Sequence, residues 1–258
     1  MIISENNWIN DNFTESGLTS DYAVKFNLYK FKPQNFNIAA REAAVKISKK
    51  YKNLYVGLSG GIDSEYVLVC FHKLNIPIIP LVILCNGNQE ESKYALKICE
   101  KLNLKPVIIE CPDEEILNIC VNFISKKLNG IGFESATRAI AANYVKNNNG
   151  TLVCGEHIIG DGDVLIKDSE YAMNEWDGYD SLHYGDQIGF FTYTPELTYS
   201  MISGNTLDGL EIRNKMHYIY PERIQKINDA MKVSSKKFKT GIRWKKNEIL
   251  DIFKPYII

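Results

Sequence analysis

The residues from Ser59 to Ser64, Ser-Gly-Gly-Ile-Asp-Ser, carry the clearest chemical signal in the chain. An apolar run, Leu54 to Leu58, precedes them, and apolar residues at helical spacing follow between Glu65 and Leu74. The pattern therefore predicts a strand, a tight glycine loop and a helix. Glycines let the backbone turn sharply and expose its N–H groups, and a helix start adds further N–H groups and partial positive charge. We expect this loop to bind an anion, above all phosphate.

Two familiar phosphate-binding patterns do not fit this loop. Its glycines, together with Gly57, do not form G-x-G-x-x-G, and no lysine follows them as the Walker loop requires. A second interpretation is a glycine-serine turn that caps a helix, with Asp63 as a solvated acid in the first turn. The anion-binding loop is favoured because strand and helix are predicted at the places that such a loop requires.

A second group of polar residues follows a later apolar run. Leu152 to Cys154 predicts the end of a strand, and Gly155, Glu156 and then Asp161 come after it. Carboxylates at such an end can hold Mg²⁺, which takes one or two carboxylates together with phosphate oxygens and water. The choice of ligand among Glu156, Asp161 and Asp163 stays open, and an acidic surface turn is the alternative.

Basic residues occur at two places where they could meet an anion. Thr137 and Arg138 follow Gly130 to Phe133 and are predicted to open a helix, where an arginine can bind phosphate or carboxylate through two hydrogen bonds. Ser234 to Trp244 is basic, with glycine and aromatic residues interleaved. The alternatives are a solvated helix face for Arg138 and a solvated basic run near the C-terminus.

The predicted elements alternate in type from residue 54 to residue 154. Strands are predicted over 54–58, 76–84, 105–110 and 151–154, and helices over 37–50, 65–74, 90–102, 113–128 and 135–146. Alternation of this kind predicts an α/β fold with a parallel sheet covered by helices on both faces. Ligands of such sheets bind beyond the carboxyl ends of the strands, where the loop and the acidic group both lie.

The segment from Ser59 to Ser64 resembles the SGGxDS pyrophosphate loop of the N-type ATP pyrophosphatases, the PP-loop family. With Gly155 and Glu156, the motif layout is most similar to the synthetase domains of asparagine synthetase and β-lactam synthetase. The resemblance covers about residues 40–165 and implies a sheet of the HUP type, similar to the adenine nucleotide alpha hydrolases. It implies ATP and Mg²⁺ as cofactors, with ATP contacting Leu58, Ser59, Gly60, Gly61, Asp63, Ser64, Val82, Ile83, Leu84, Gly155 and Glu156.

The resemblance also implies roles for charged side chains. Mg²⁺ would bridge Asp63 and Asp161, and a C-terminal lysine would offset the charge that develops on departing pyrophosphate. The candidates for catalytic residues are therefore Asp63, Arg138, Lys236, Lys237 and Lys239.

Three regions follow from these assignments. Residues 1–35 would be an extension that contains an edge strand near 22–32, and residues 36–165 would form the ATP-binding domain. Residues 166–258 would be a mostly helical substrate or lid region. Within this region, residues 167–186 show no helical or strand periodicity, which predicts a long loop. Thr194, Pro195 and Glu196 are typical of a helix start.

The activity implied by the resemblance is adenylation of a carboxylate or carbonyl oxygen with release of pyrophosphate, followed by attack of a nitrogen or other nucleophile. The alternatives are a tRNA- or nucleobase-modifying pyrophosphatase and a nucleotide-binding subunit without turnover. Residue 2 is isoleucine rather than cysteine, so an amino-terminal glutaminase of the asparagine synthetase kind is not expected. Ammonia would then come from solution or from a separate subunit. The expected partners are ATP and a small-molecule acceptor; nucleic acid is less favoured, and a homodimer is left open.

Composition narrows the class of protein further. The 258 residues carry a net charge of -1, which gives no global argument for nucleic-acid binding. No apolar stretch is long enough to span a membrane, and the polar N-terminus lacks the order of a signal peptide, which predicts a cytoplasmic protein. The six cysteines show no C-x-x-C spacing, so a zinc or iron–sulfur site is not expected. Cys70, Cys85, Cys99 and Cys154 lie in apolar or amphipathic runs and are predicted to be buried thiols.

Overall fold

The computed structural model describes the central part of the chain together with several short segments. The described residues are 2–3, 5, 26–27, 34–86, 88–112, 114–116, 118–119, 133–155, 164–167, 170–173, 187–203 and 218. None of the helices among these residues is both long enough and apolar enough to cross a membrane.

Helices and strands alternate between residues 36 and 110 as the sequence predicts, and a helix and a strand follow over 133–154. The strands are β1 (Ile2–Ile3), β2 (Phe26–Asn27), β3 (Leu54–Gly57), β4 (Ile79–Leu84), β5 (Val107–Glu110), β6 (Thr151–Cys154), β7 (Val164–Lys167), β8 (Glu170–Met173) and β9 (Gln187–Gly189). The helices are α1 (Phe36–Lys50), α2 (Ile62–Lys73), α3 (Gln89–Lys101), α4 (Phe133–Asn147) and α5 (Pro195–Ser203). Residues 114–116 and 118–119, from the helix predicted over 113–128, are also helical.

The central sheet has six strands in the order β1-β9-β6-β3-β4-β5, and all its pairings are parallel. Helices cover the sheet, so the predicted α/β class with a parallel sheet flanked by helices is confirmed. The strand order also fixes where a ligand can bind. From β3 the chain moves outward to β4 and β5, and it then returns to place β6 on the other side of β3. The boundary between β3 and β6 is therefore the topological switch point, where such sheets open a crevice at their carboxyl edge.

The core consists of two apolar layers on opposite faces of the sheet. Alternate residues of β4 divide between them, because successive side chains of a strand point to opposite faces. Val82 packs with α1, α2 and α3, whereas Leu81 and Ile83 pack with α4. Aromatic side chains fill the first layer, with Phe190 and Phe191 in ring contact with Tyr66.

Helix α2 is buried around its whole circumference from Ser64 to Phe71. The sequence predicts one apolar face only, because Ser64 and Glu65 are polar. Burial on every side follows from the position of α2, which lies among α1, α3 and the aromatic turn at Phe190 and Phe191. The helix that begins at the glycine loop is therefore enclosed by the rest of the fold.

The expectation of a long loop over 167–186 is wrong in its first part. Strands β7 and β8 pair antiparallel, and β2 pairs with β8 to make a separate three-stranded sheet. The pairing of β2 with β8, across more than a hundred residues, is invisible to a search for local periodicity. In the region after residue 166, the described part contains strands as well as the helix α5. The predicted domain boundaries stay a prediction, although β1 and β9 join the central sheet from outside 36–165.

Helix α5 begins where its sequence predicts. The hydroxyl of Thr194 accepts a hydrogen bond from the N–H of Leu197 at 3.2 Å, and Pro195 is the first helical residue. This is the expected arrangement for a threonine cap followed by proline.

Candidate functional site

Two serine hydroxyls brace the loop between β3 and α2. The N–H of Ser59 donates to Ser64 Oγ at 3.3 Å, and the N–H of Gly61 donates to Ser59 Oγ at 3.2 Å. Ser64 Oγ in turn donates to the carbonyl of Gly61 at 3.2 Å. At the base of the loop, the N–H of Leu58 donates to the carbonyl of Leu81 at 2.8 Å, which ties the end of β3 to β4. The hydroxyl at each end of the motif thus fixes the curvature of the backbone between them.

The two glycines of the loop have different conformations. Gly60 has a φ of +83°, in the left-handed region that side chains rarely adopt, whereas Gly61 is extended with a φ of −81°. Gly60 also lies against α3, since a Cβ placed there would be 2.2 Å from the carbonyl oxygen of Glu91. Only Gly60 therefore needs to be glycine for its backbone angle, whereas the sequence assigned the sharp turn to both.

Helix α2 begins at Ile62, and its N-cap residue, Gly61, has no side chain to cap the first turn. The N–H groups of a helix start need an acceptor, and an anion at this end is also favoured by the helix dipole. Asp63 lies in this first turn and is half-buried. The loop thus combines N–H donors with an acidic side chain at the carboxyl end of a central strand.

Gly155 lies beside the same turn, across the switch point. A Cβ placed on Gly155 would be 2.6 Å from both the carbonyl carbon of Asp63 and the backbone nitrogen of Ser64. The end of β6 therefore contacts the backbone of the first turn of α2, and the two motifs that the sequence proposes for one site are brought together. Glu156, Asp161 and Asp163 lie outside the described residues.

The carboxylate of Glu65 is the second acid in this turn and is only 1 % exposed. It accepts a hydrogen bond at 2.7 Å from the N–H of Tyr218, far away in the sequence. The ring of Tyr218 lies 5.4 Å from the ammonium groups of Lys73 and Lys101, at the ends of α2 and α3. A segment near the C-terminus is thereby attached to the helix that starts at the loop.

The end of β4 lies next to the loop, where the adenine ring is expected. Val82 and Ile83 are buried and Leu84 is half-buried. The carbonyl of Ile83 accepts from the side-chain amide of Asn88 at 2.7 Å, and that of Leu84 accepts from the N–H of Cys111 at 2.8 Å. Both carbonyls therefore already accept one hydrogen bond from the chain itself.

Arg138 lies on α4, which packs against β3, β4 and β6. The expectation that Arg138 opens its helix is wrong, because α4 already begins at Phe133 and places the half-buried Arg138 in the second turn. The glycines before the helix suggested a later start than the backbone takes. Lys236, Lys237 and Lys239 lie outside the described residues.

Sequence reasoning missed two buried polar residues near the site, Glu65 and Gln187. Gln187 on β9 is 1 % exposed, and its side-chain oxygen accepts from the thiol of Cys154 at 3.0 Å. No described residue accepts a hydrogen bond from Gln187 Nε2. Glu65 looked like an ordinary acid in a first helical turn, and Gln187 belongs to a strand that the sequence did not reveal.

The fold and the loop define an α/β protein with a strand–loop–helix turn at the switch point of a parallel sheet. No protein-family model matches the chain, and no curated protein matches it. Among solved structures, the chain is similar to an NH3-dependent NAD synthetase from Campylobacter jejuni in complex with the nitrate ion, at 20% identity and a TM-score of 0.38, over 86% of this chain and 97% of that one.

Two further solved structures are similar over about half of this chain. The NMN synthetase from Francisella tularensis is 18% identical with a TM-score of 0.37, over 48% of this chain and 54% of that chain. A predicted subunit of tRNA methyltransferase from Methanocaldococcus jannaschii is 19% identical with a TM-score of 0.33, over 45% of this chain and 59% of that chain. The function of the chain has to be inferred from the geometry of its own site.

Proposed function

We propose that the chain is an ATP pyrophosphatase-type synthetase that adenylates a carboxylate or carbonyl oxygen of a small-molecule acceptor and releases pyrophosphate. The observation that carries this proposal is the braced Ser59–Ser64 loop at the switch point between β3 and β6. Its position before a helix start at the switch point, and the left-handed turn at Gly60, support phosphate binding. Its residues are those of the SGGxDS motif rather than of a Walker loop.

The arrangement of β3 and β4 suggests how ATP would lie. The adenine would rest at the end of β4, and the β- and γ-phosphates would lie in the loop after β3, on the neighbouring strand. The α-phosphorus would then lie between these two points, at the crevice that Gly155 borders. An acceptor oxygen attacking there forms a new P–O bond while the bond to the α,β-bridging oxygen breaks, and pyrophosphate leaves. The protein would act mainly by positioning and by neutralising charge on the leaving group.

A magnesium ion fits the donor groups of this site when phosphate oxygens complete its shell. Within the described part of the chain, no group of three or more acidic, histidine or cysteine side chains could hold a metal alone. Mg²⁺ commonly uses one or two carboxylates together with substrate phosphates, and Asp63 would supply one carboxylate. The bound ion would neutralise phosphate charge. Asp161 remains the second proposed ligand, and Arg138 with one of Lys236, Lys237 and Lys239 would add positive charge.

Nucleotide products test the reaction class directly. The chain is incubated with ATP, Mg²⁺, ammonium and a panel of carboxylate and carbonyl acceptors, and the nucleotides are separated by ion exchange. We expect AMP and pyrophosphate in equal amounts with a suitable acceptor. ADP and phosphate as the products would exclude the proposed chemistry. Salt-dependent binding of tRNA, with AMP formed only in its presence, would favour the tRNA-modifying alternative.

Asp63→Asn should lower the rate of AMP formation by roughly a hundredfold or more, since it removes a charge from the proposed metal site at almost constant shape. Thermal unfolding should change little because Asp63 is only half-buried. The control is Glu100→Gln, which neutralises an exposed acid on α3. If the turnover of Asp63→Asn lies within a factor of two of that of Glu100→Gln, Asp63 is a solvated acid of the first helical turn and has no role in the reaction.

A further inference from the structure

Cys85 and Cys111 lie next to each other at the carboxyl ends of two neighbouring strands. Leu84, the last residue of β4, pairs in register with Glu110, the last residue of β5. The N–H of Cys111 donates to the carbonyl of Leu84 at 2.8 Å, which closes the pair of Leu84 and Glu110 at the end of the ladder. Cys85 and Cys111 are therefore the next residues after a paired position on neighbouring strands, although they are far apart in the sequence.

The two thiols also share a face of the sheet. Both belong to the apolar layer under α4, together with Leu81 and Ile83. Leu81, Ile83 and Cys85 are alternate residues, and alternate side chains of a strand face the same side of the sheet. Neighbouring strands lie about 4.8 Å apart, which falls within the range of about 4.4–6.8 Å that disulfides allow between Cα atoms. Both cysteines follow the last residue of their strand, where the backbone can adjust by the small amount that a bond between the sulfurs requires.

Local contacts hold the two thiols in place at the edge of the core. The N–H of Cys85 donates to Asn88 Oδ1 at 3.0 Å, which fixes the turn between β4 and α3. The thiol of Cys111 donates to the carboxylate of Glu115 at 3.6 Å and to the carbonyl of Pro112 at 3.7 Å. Cys85 is 6 % and Cys111 is 5 % exposed, so both side chains are largely covered by the layer.

We propose that Cys85 and Cys111 are a modification site, a dithiol pair that a peroxide oxidises to an intramolecular disulfide. In the first step, one sulfur attacks a peroxide oxygen, an S–O bond forms, the O–O bond breaks and water leaves. In the second step, the other sulfur attacks the resulting sulfenic acid, the S–S bond forms and the S–O bond breaks, releasing a second water. Two thiols and one hydrogen peroxide thus yield one disulfide and two waters. The inference does not depend on the proposed synthetase activity.

The other described cysteines lack such a partner position and provide controls. Burial raises the pKa of the Cys70 thiol to about 12 and that of the Cys99 thiol to about 11, so the reactive thiolate is scarce at both. Both lie in the layer on the opposite face of the sheet. Cys154 is on β6, separated from β4 by β3. Cys120 lies outside the described residues.

Peptide mapping of the intact, folded chain tests the pair. The protein is treated with hydrogen peroxide, remaining thiols are alkylated in denaturant, and the chain is digested without reduction for mass spectrometry. We expect one linked pair of peptides, containing Cys85 and Cys111, about 2 mass units lighter than the two reduced peptides together. Denatured protein should then titrate two fewer thiols than its six cysteines. Reduction with dithiothreitol should restore both.

Single variants give the matched comparison. After peroxide treatment, Cys85→Ala and Cys111→Ala should each retain the thiol of the remaining partner, which the unmodified chain loses to the disulfide. Cys99→Ala and Cys120→Ala should still lose two thiols. A link that contains Cys120 or Cys154, a link between chains, or oxidation to sulfinic acid without any link would overturn the proposal. Because mapping of the unmodified sequence decides the outcome, a variant that folds poorly does not affect the conclusion.

Discussion

Gly60→Ala is expected to have the largest effect of any single change in the loop. The backbone at Gly60 has a φ of +83°, which costs an L-residue about 1–2 kcal/mol. The new Cβ would also lie 2.2 Å from the carbonyl oxygen of Glu91 and 3.3 Å from the backbone nitrogen of Ala95, so the loop or α3 has to move. Overpacking of this kind adds about 1–3 kcal/mol.

We expect this variant to unfold at a lower denaturant concentration and to lose nucleotide binding by roughly a hundredfold, since the N–H groups of the loop are displaced. Chemical denaturation and calorimetry with a non-hydrolysable ATP analogue measure the two effects. Gly57→Ala is the matched control, because among the described residues its Cβ would meet only Leu152 Cδ1, at an ordinary 3.7 Å. Equal behaviour of the two variants would show that α3 does not constrain the loop.

Gly155→Ala should weaken nucleotide binding without touching the loop sequence itself. Its Cβ would lie 2.6 Å from the backbone of Asp63 and Ser64, so the first turn of α2 or the end of β6 has to shift. A shift of about 1 Å at a positioned group costs roughly a hundredfold in activity, and the strain should lower stability by about 1–3 kcal/mol. The measurement is affinity for the ATP analogue, corrected for the folded fraction.

The control for this change is Gly150→Ala, at the amino end of β6. Its Cβ would lie 2.5 Å from the ring of Tyr55, far from the carboxyl edge of the sheet, so it should lower stability and leave nucleotide affinity per folded molecule unchanged. If Gly155→Ala loses no more affinity than Gly150→Ala, the contact between β6 and α2 is purely structural.

The sequence by itself determined the features that depend on neighbouring residues. The alternation from β3 to β6, the glycine loop and the cap at Thr194 were all predicted, because periodicity, glycine conformation and capping are local properties. Burial of Cys70, Cys85, Cys99 and Cys154 was predicted for the same reason and is confirmed.

Only the tertiary structure decided which distant residues meet. Sequence reasoning could not place β6 beside β3, because strand order depends on pairing between segments far apart in the chain. The contact of Gly155 with Asp63, the hydrogen bond of Tyr218 to the buried Glu65 and the paired ends of β4 and β5 all join segments far apart in the chain. Non-local contacts leave no trace in local periodicity, so the sequence predicted the motifs and proposed that they share one site, whereas the contacts that join them come only from the tertiary structure.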